Sequence, residues 1–187
     1  EMNLGSGSGG ILAGVGTGYE NVQAKVDGSK PIDNNYSVGS VALSTGDNLT
    51  IGAGGAITLQ NSNAHDNDGM FVSKPGATSG ASAQLAGVNF GTGSTADSSL
   101  TLQGSGKIGA ITAGAAGSGS VTFGAGEGKT GDVTVEGAIG ADNKEIGKLV
   151  NNGSNVIIAG ASGDVFVQEI DLNGGSFTVA PDKKLVL

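Results

Sequence analysis

The sequence predicts an all-β protein, a right-handed parallel β-helix (β-solenoid) built of short strands, and three observations carry that expectation. Apolar residues recur in pairs two positions apart: Val121/Phe123, Val133/Val135, Val156/Ile158, Val165/Val167, Phe177/Val179 and Leu185/Leu187. Side chains alternate across a strand, so each pair marks one face. The residue between (Thr122, Thr134, Ile157, Phe166, Thr178, Val186) marks the other. Between pairs lie Gly, Asn, Asp and Ser, which form turns, and the wording returns: GDVTV at 131–135 as GDVFV at 163–167, and GSVTF at 119–123 as GSFTV at 175–179. Helical spacing is nearly absent. Irregular repetition of a strand-plus-turn unit is what a coiled β architecture writes.

Residues 1–37 are the least regular part, with GSGSGG at 5–10 and a loose alternation over 19–26 that suits one strand. They read as an irregular N-terminal segment and candidate cap, its apolar stretches 11–15 and 22–26 laid across the first rung. Residues 38–187 read as the solenoid. Its first pairs, Val41/Leu43, Leu49/Ile51 and Ile57/Leu59, are spaced for a short strand plus a turn, with no helix between. Residues 61–86 break the rhythm with polar and small residues around Met70, Phe71 and Val72, and read as an excursion from the wall. The pattern resumes at Gly87 and runs on without a domain boundary. Over 140–150, Ile146, Leu149 and Val150 have helical spacing after Asp142, but Gly147 sits inside, favouring a single turn or a loop. Three strands per turn of roughly 20–25 residues give about six or seven rungs, ~4.8 Å apart. At the last edge, Pro181, Lys183 and Lys184 are expected to discourage a further strand, a protection lacking in the first strands.

Composition narrows the function classes. Of 187 residues 37 are Gly, 14% are charged and 4% aromatic, which suits a narrow stacked interior of small and β-branched residues better than a globular core. The net charge is −8 and Arg is absent, so nucleic acid, whose phosphates need clustered basic side chains, is not an expected partner. Cys is absent, which fits export. No apolar run approaches the ~20 residues of a membrane-spanning helix. The residues after Glu1 do not form a signal peptide, so any leader is expected to have been removed or to lie upstream.

Few motifs carry chemistry. GAGEGKT at 124–130 is one residue short of a phosphate-binding loop and precedes a strand, so it reads as a Gly-rich turn. Gly5, Gly7 and Gly10 match a dinucleotide fingerprint but lack the preceding strand and following helix. In HDNDG at 65–69, Asp66, Asp68 and Gly69 fit part of a calcium loop. Its first position, however, is Ala64, and Pro75 stands where a bidentate Glu belongs, so calcium is only a candidate and no other cofactor is expected. His65 has no His or Cys partner for zinc, and a single His leaves nucleophile triads little to draw on. Glu169 and Asp171 flank Ile170 and would project from one strand face, as paired catalytic carboxylates must, yet no Arg or Trp is present to hold a sugar. Thr at the centre of apolar pairs (Thr50, Thr58, Thr101, Thr122, Thr134, Thr178) suggests an outward Thr array of the kind displayed by ice-binding solenoids. Its uneven spacing argues against one aligned file.

The segments VEGAIGADNKEIGKLV at 135–150 and DVFVQEIDLNGGSFTVAPDKKLVL at 164–187 resemble the passenger regions of bacterial autotransporters, most closely the rickettsial surface cell antigen and outer membrane protein B family. The likeness is best over the last ~70 residues. GGAI at 54–57 and SVALS at 40–44 are similar to motifs of chlamydial polymorphic membrane proteins and trimeric autotransporter heads, without the repeats expected there. The resemblance implies a non-enzymatic segment on the bacterial cell surface or secreted, acting as structural coat and adhesin. Its implied partners are a host-cell surface protein or neighbouring copies in a surface layer, with no small-molecule substrate. The parent chain would be tethered by an outer-membrane barrel not contained in this sequence. The alternatives are a polysaccharide-binding or polysaccharide-cleaving β-helix and, third, an ice-binding solenoid.

Overall fold

A computed structural model describes residues 2–4, 22–61, 69–77, 84–124, 130–159 and 164–187. These residues are all-β with parallel strands, an arrangement compatible with a β-solenoid. Seventeen strands follow in chain order: β1 (Met2–Leu4), β2 (Gln23–Asp27), β3 (Asn35–Val38), β4 (Ser40–Thr45), β5 (Asn48–Ile51), β6 (Ala56–Leu59), β7 (Val72–Ser73), β8 (Gly87–Phe90), β9 (Ser99–Leu102), β10 (Gly106–Ile108), β11 (Ile111–Ala113), β12 (Ser118–Phe123), β13 (Asp132–Val135), β14 (Ile146–Ile158), β15 (Val165–Phe166), β16 (Ile170–Val179) and β17 (Leu185–Val186).

Every strand-to-strand pairing is parallel, and the chain visits the same stacks in rotation. One stack runs β1–β2–β4–β7 and continues, through the Met70–Lys107 bridge, into β10, β13 and the second half of β14 and β16. Another runs from Ile32 through β5, β8 and β11 to Ile139, β15 and β17. The third runs β3–β6–β9–β12 into the first half of β14 and β16. One circuit near the C-terminal end takes 21 residues, the separation of the hydrogen-bonded pairs Asn152–Asn173 and Asn155–Ser176.

The register places apolar pair on apolar pair. Val133 stacks on Val156 and that on Phe177, while Leu100 stacks on Val121 and that on Leu149. The expected inward pairs from Val41/Leu43 to Val165/Val167 are buried in one cluster with Phe71, Phe90 and Phe123. The outward Thr122 and Thr134 are half-buried rather than exposed, because side chains on neighbouring strands flank each at one strand spacing.

Several local expectations change. Residues 22–37, read as an irregular lead-in, carry wall strand β2, the wall residue Ile32 and the start of β3; β2 lies edge to edge between β1 and β4 instead of crossing the first rung. Stretch 11–15 of that reading lies outside the described residues. Within the 61–86 excursion, Met70, Phe71 and Val72 return to the wall and are buried. The helical spacing at 146–150 belongs to β14, where Ile146 and Leu149 are both buried with Gly147 and Lys148 half-buried between them; Asp142 is no helix cap but part of a tight turn closed by reciprocal Ala141–Lys144 hydrogen bonds. Asn143 takes φ +61° in that turn, a conformation Asn tolerates better than most residues. Pro181 and Lys183 lie in the turn after β16 and so leave that strand's edge unguarded.

Buried polar side chains fix the corners. Asn151 Nδ2 donates to Ser154 O (2.9 Å) and Ser176 O (3.0 Å), while its Oδ1 accepts from Gly153 N and Ser154 N. These bonds satisfy the bulge where β14 turns from one stack to the next. Asn61 Nδ2 likewise donates to Gly69 O and Ser105 O, both at 2.8 Å. Gly119 (φ +79°) serves another corner: a Cβ there would lie 2.5 Å from the Phe90 ring. At the N-terminal end Asp27 Oδ1 accepts from Ser29 Oγ and Thr45 Oγ1, each at 2.6 Å, and from Ser29 N.

Two outcomes follow from these corners. Asn151→Ala strips partners from buried backbone groups and should cost about 2–4 kcal/mol, read as a lower urea midpoint with an unchanged slope. The bonds from Ser29 and then Thr45 lower the Asp27 carboxyl from 3.8 to about 2. A depressed carboxylate pKa contributes stability above the unfolded value and loses it as pH falls through the folded one. The melting-temperature gap between wild type and Asp27→Asn should therefore be constant above pH ~4 and close towards pH 2.

Candidate functional site

The candidate carboxylates Glu169 and Asp171 come together at the rim of the β16 end, and both close on a cation. Lys148 Nζ lies 3.0 Å from Glu169 Oε1 and 2.6 Å from Asp171 Oδ2. The coil makes this cluster, since Lys148 enters β14 one circuit before Glu169 and Asp171 flank the start of β16. The Asp171 and then the Glu169 hydrogen bonds raise the Lys148 ammonium above its ordinary 10.5. As arranged, the two acids engage one lysine and tie the start of β16 to β14. Lys148 was not singled out in the sequence; finding it requires the circuit length, which the uneven repeats conceal.

The calcium candidates Asp66 and Asp68, with His65, lie outside the described residues, as do residues 125–129 of the phosphate-loop lookalike and Gly5, Gly7 and Gly10. Among the described residues no group of three or more His, Asp or Glu side chains is placed to hold a metal. Gly69 is described, and its carbonyl is taken by Asn61.

The Thr residues align better than their spacing suggests. Thr58, Thr101 and Thr122 stand in direct register on β6, β9 and β12 although 43 residues separate the first two and 21 the last two. The file begins with Ser37 and passes into Val150 and Asp171, so neither hydroxyls nor neutrality persist along it. A polar ladder not evident in the sequence runs along the neighbouring corner: Asn173 Nδ2 donates to Asn152 Oδ1, Ser176 Oγ to Asn155 Oδ1, and Asn155 Nδ2 to Asp132 Oδ1.

The two ends differ sharply. At the N-terminal side Ala24, Val26, Ile32, Tyr36 and Val38 are at most 4% exposed. At the C-terminal side Leu172 is 62% and Leu187 77% exposed, Leu185 and Val186 are also exposed, and Ile170, Phe177 and Val179 are half-buried. Phe177 keeps one core contact, edge to face with Phe123 at 6.3 Å.

Compared with protein-family models, curated proteins and solved structures, the chain matches none. No helix of the described residues is long and apolar enough to cross a membrane.

The Lys148 cluster has a pH signature. A raised lysine pKa contributes stability below the unfolded value and loses it as pH rises through the folded one. Thermal melts of wild type and Lys148→Met should differ modestly at pH 7, the exposed pair being screened, and converge as pH rises past the ordinary lysine range.

Proposed function

We propose that this chain is a right-handed parallel β-solenoid of about six or seven rungs that serves as a non-enzymatic, surface-exposed scaffold of a bacterial cell. Its role in this reading is that of an autotransporter-type passenger segment, at once structural coat and adhesin. The observation that carries it is the division of the walls into inward apolar pairs and outward, mostly polar side chains, repeated from strand to strand in parallel register. Such a wall is a rigid display surface. The right hand follows the strong preference of parallel β connections within a sheet. Export and adhesion are supported by the sequence resemblance and by the Cys-free, Gly-rich, acidic composition.

The polysaccharide-cleaving alternative requires Glu169 or Asp171 to exchange a proton with substrate. Their engagement with Lys148 favours a structural role. Contacts to a host-cell protein would fall to the outer walls and to the loops of the 61–86 excursion.

Antibodies raised against the folded chain should label intact, unpermeabilised cells of the source bacterium, and beads coated with the chain should adhere to host cells above albumin-coated beads. Labelling only after permeabilisation would overturn the surface reading. Bead retention at the albumin level would remove the adhesin role and leave the coat.

A further inference from the structure

We propose that Asn152–Gly153 is a latent modification site, where the chain deamidates itself once the corner around Asn151 opens and where the isoaspartate product keeps that corner from closing again. This goes beyond the surface reading and does not rest on it. Water is the only co-reactant. The Gly153 backbone nitrogen loses its proton and bonds to the Asn152 side-chain carbonyl carbon; the carboxamide nitrogen takes up that proton and leaves as ammonia, giving a five-membered succinimide. Water then opens the ring at either carbonyl. One opening yields aspartate, and the other yields isoaspartate, with the main chain rerouted through the side chain. Glycine as the following residue favours closure of the ring, because no Cβ obstructs the approach.

In the folded chain the nucleophile is held. Gly153 N donates to Asn151 Oδ1 at 3.1 Å, and Ser154 N donates to the same oxygen at 2.9 Å. Asn151 is buried, whereas Asn152 and Gly153 are half-buried. The proton that must be lost first is thus the one that Asn151 engages, at a position solvent reaches. The electrophile is held as well, since Asn152 Oδ1 accepts from Asn173 Nδ2 at 3.0 Å. Ring closure therefore waits on local opening of the corner. The other Asn-Gly dipeptide of the chain, Asn173–Gly174, has no such guard before it, because Leu172 takes the place that Asn151 takes in β14.

The same geometry makes the change one-way. Aspartate at 152 leaves the main chain at its length and keeps an oxygen for Asn173 Nδ2, so that product is compatible with a closed corner. Isoaspartate adds one main-chain carbon between 152 and 153. It does so inside the bulge, where the register of β14 with β16 is already interrupted on both sides of Asn152. Gly153 holds φ +124° there with little room to move: a Cβ on it would lie 2.9 Å from Thr130 Cγ2, and a Cβ on Gly174 would lie 3.4 Å from Gly153 Cα. A displaced Gly153 leaves Asn151 Oδ1 short of a donor in a buried setting, which the corner does not recover.

The test ages the whole chain at mildly alkaline pH, folded and in urea, and follows residue 152 by peptide mapping, with isoaspartyl methyltransferase labelling to tell the two products apart. Conversion in urea is expected, and conversion at least roughly tenfold slower in the folded chain. The slowing should match the hydrogen-exchange protection of the Gly153 amide to within about threefold, because both wait on the same opening. Folded chain carrying isoaspartate at 152 should show a lower urea midpoint than fresh chain. Asn152→Gln, whose longer side chain closes a ring far more slowly, should age without that loss. No conversion in urea, equal rates folded and unfolded, or slowing that departs from the exchange protection by more than about tenfold would each overturn the guarded site. An unchanged midpoint in chain shown to carry isoaspartate at 152 would overturn the one-way change.

Discussion

Apolar side chains on a three-residue strand cannot be buried by that strand, and this constraint governs the molecule. Each inward pair is covered from above and below by equivalent pairs on adjacent circuits, so burial depends on register being kept from one circuit to the next. The series Val133, Val156, Phe177 shows the dependence directly: the first two are fully buried between neighbours, while the third, with a neighbour on one side only, is half-buried. Stability in such a stack is a sum over interfaces, and any rung lacking one of its two interfaces is the weakest part of the array.

The corners keep that register. Three short walls meet at bends where backbone groups leave the ladder, and an unpaired buried amide or carbonyl costs as much as a lost hydrogen bond. Asn151 answers this at one bend by donating twice and accepting twice. Asn61 does so at another, with a further consequence. Its two acceptors, Gly69 and Ser105, lie just before Met70 and Gly106, so one side chain ties together three points far apart in the sequence. Closing a longer loop costs only about 0.6 kcal/mol per doubling, so an insertion at a corner secured in this way need not disturb the stack. A wall with this property can carry variable loops on a constant core.

What the sequence made legible was governed by the two-residue alternation. Pairs such as Leu49/Ile51 and Val165/Val167 announced short strands and their inner faces, and the structure buries both. The alternation says nothing about which strand lies beside which, because circuits of unequal length hide the register. Thr58 and Thr101 are separated in sequence by the whole excursion yet are direct neighbours, and Lys148 meets Asp171 only once a circuit of chain has been wound. The lead-in was misread for another reason. Within residues 22–37 Ile32 is an isolated apolar position that no alternation marks, and the loose alternation of β2 gives no sign of which strand it lies beside. The helical spacing at 146–150 failed similarly, because β14 buries Ile146 and Leu149, three residues apart, and so imitates the period of a helix turn.

The edge was where a compositional argument misled most. Pro and Lys discourage strand addition only when they sit on the strand, their effect being the loss of a donor in the ladder or a charge forced beside another chain. Pro181 and Lys183 lie beyond the end of β16, where the chain turns towards β17, so they remove no donor from that strand and place no charge on it. Guarding residues therefore have to be judged by their place on the rung and not by their place near the terminus. Among the described residues Tyr36 and Val38 of β3 are buried, while Leu172 of β16 is exposed. In a parallel stack the strand direction is the same in every layer, so burial of an apolar pair depends on the direction of the neighbouring strand as well as on its side-chain pattern, as the pairing of β14 with β16 shows.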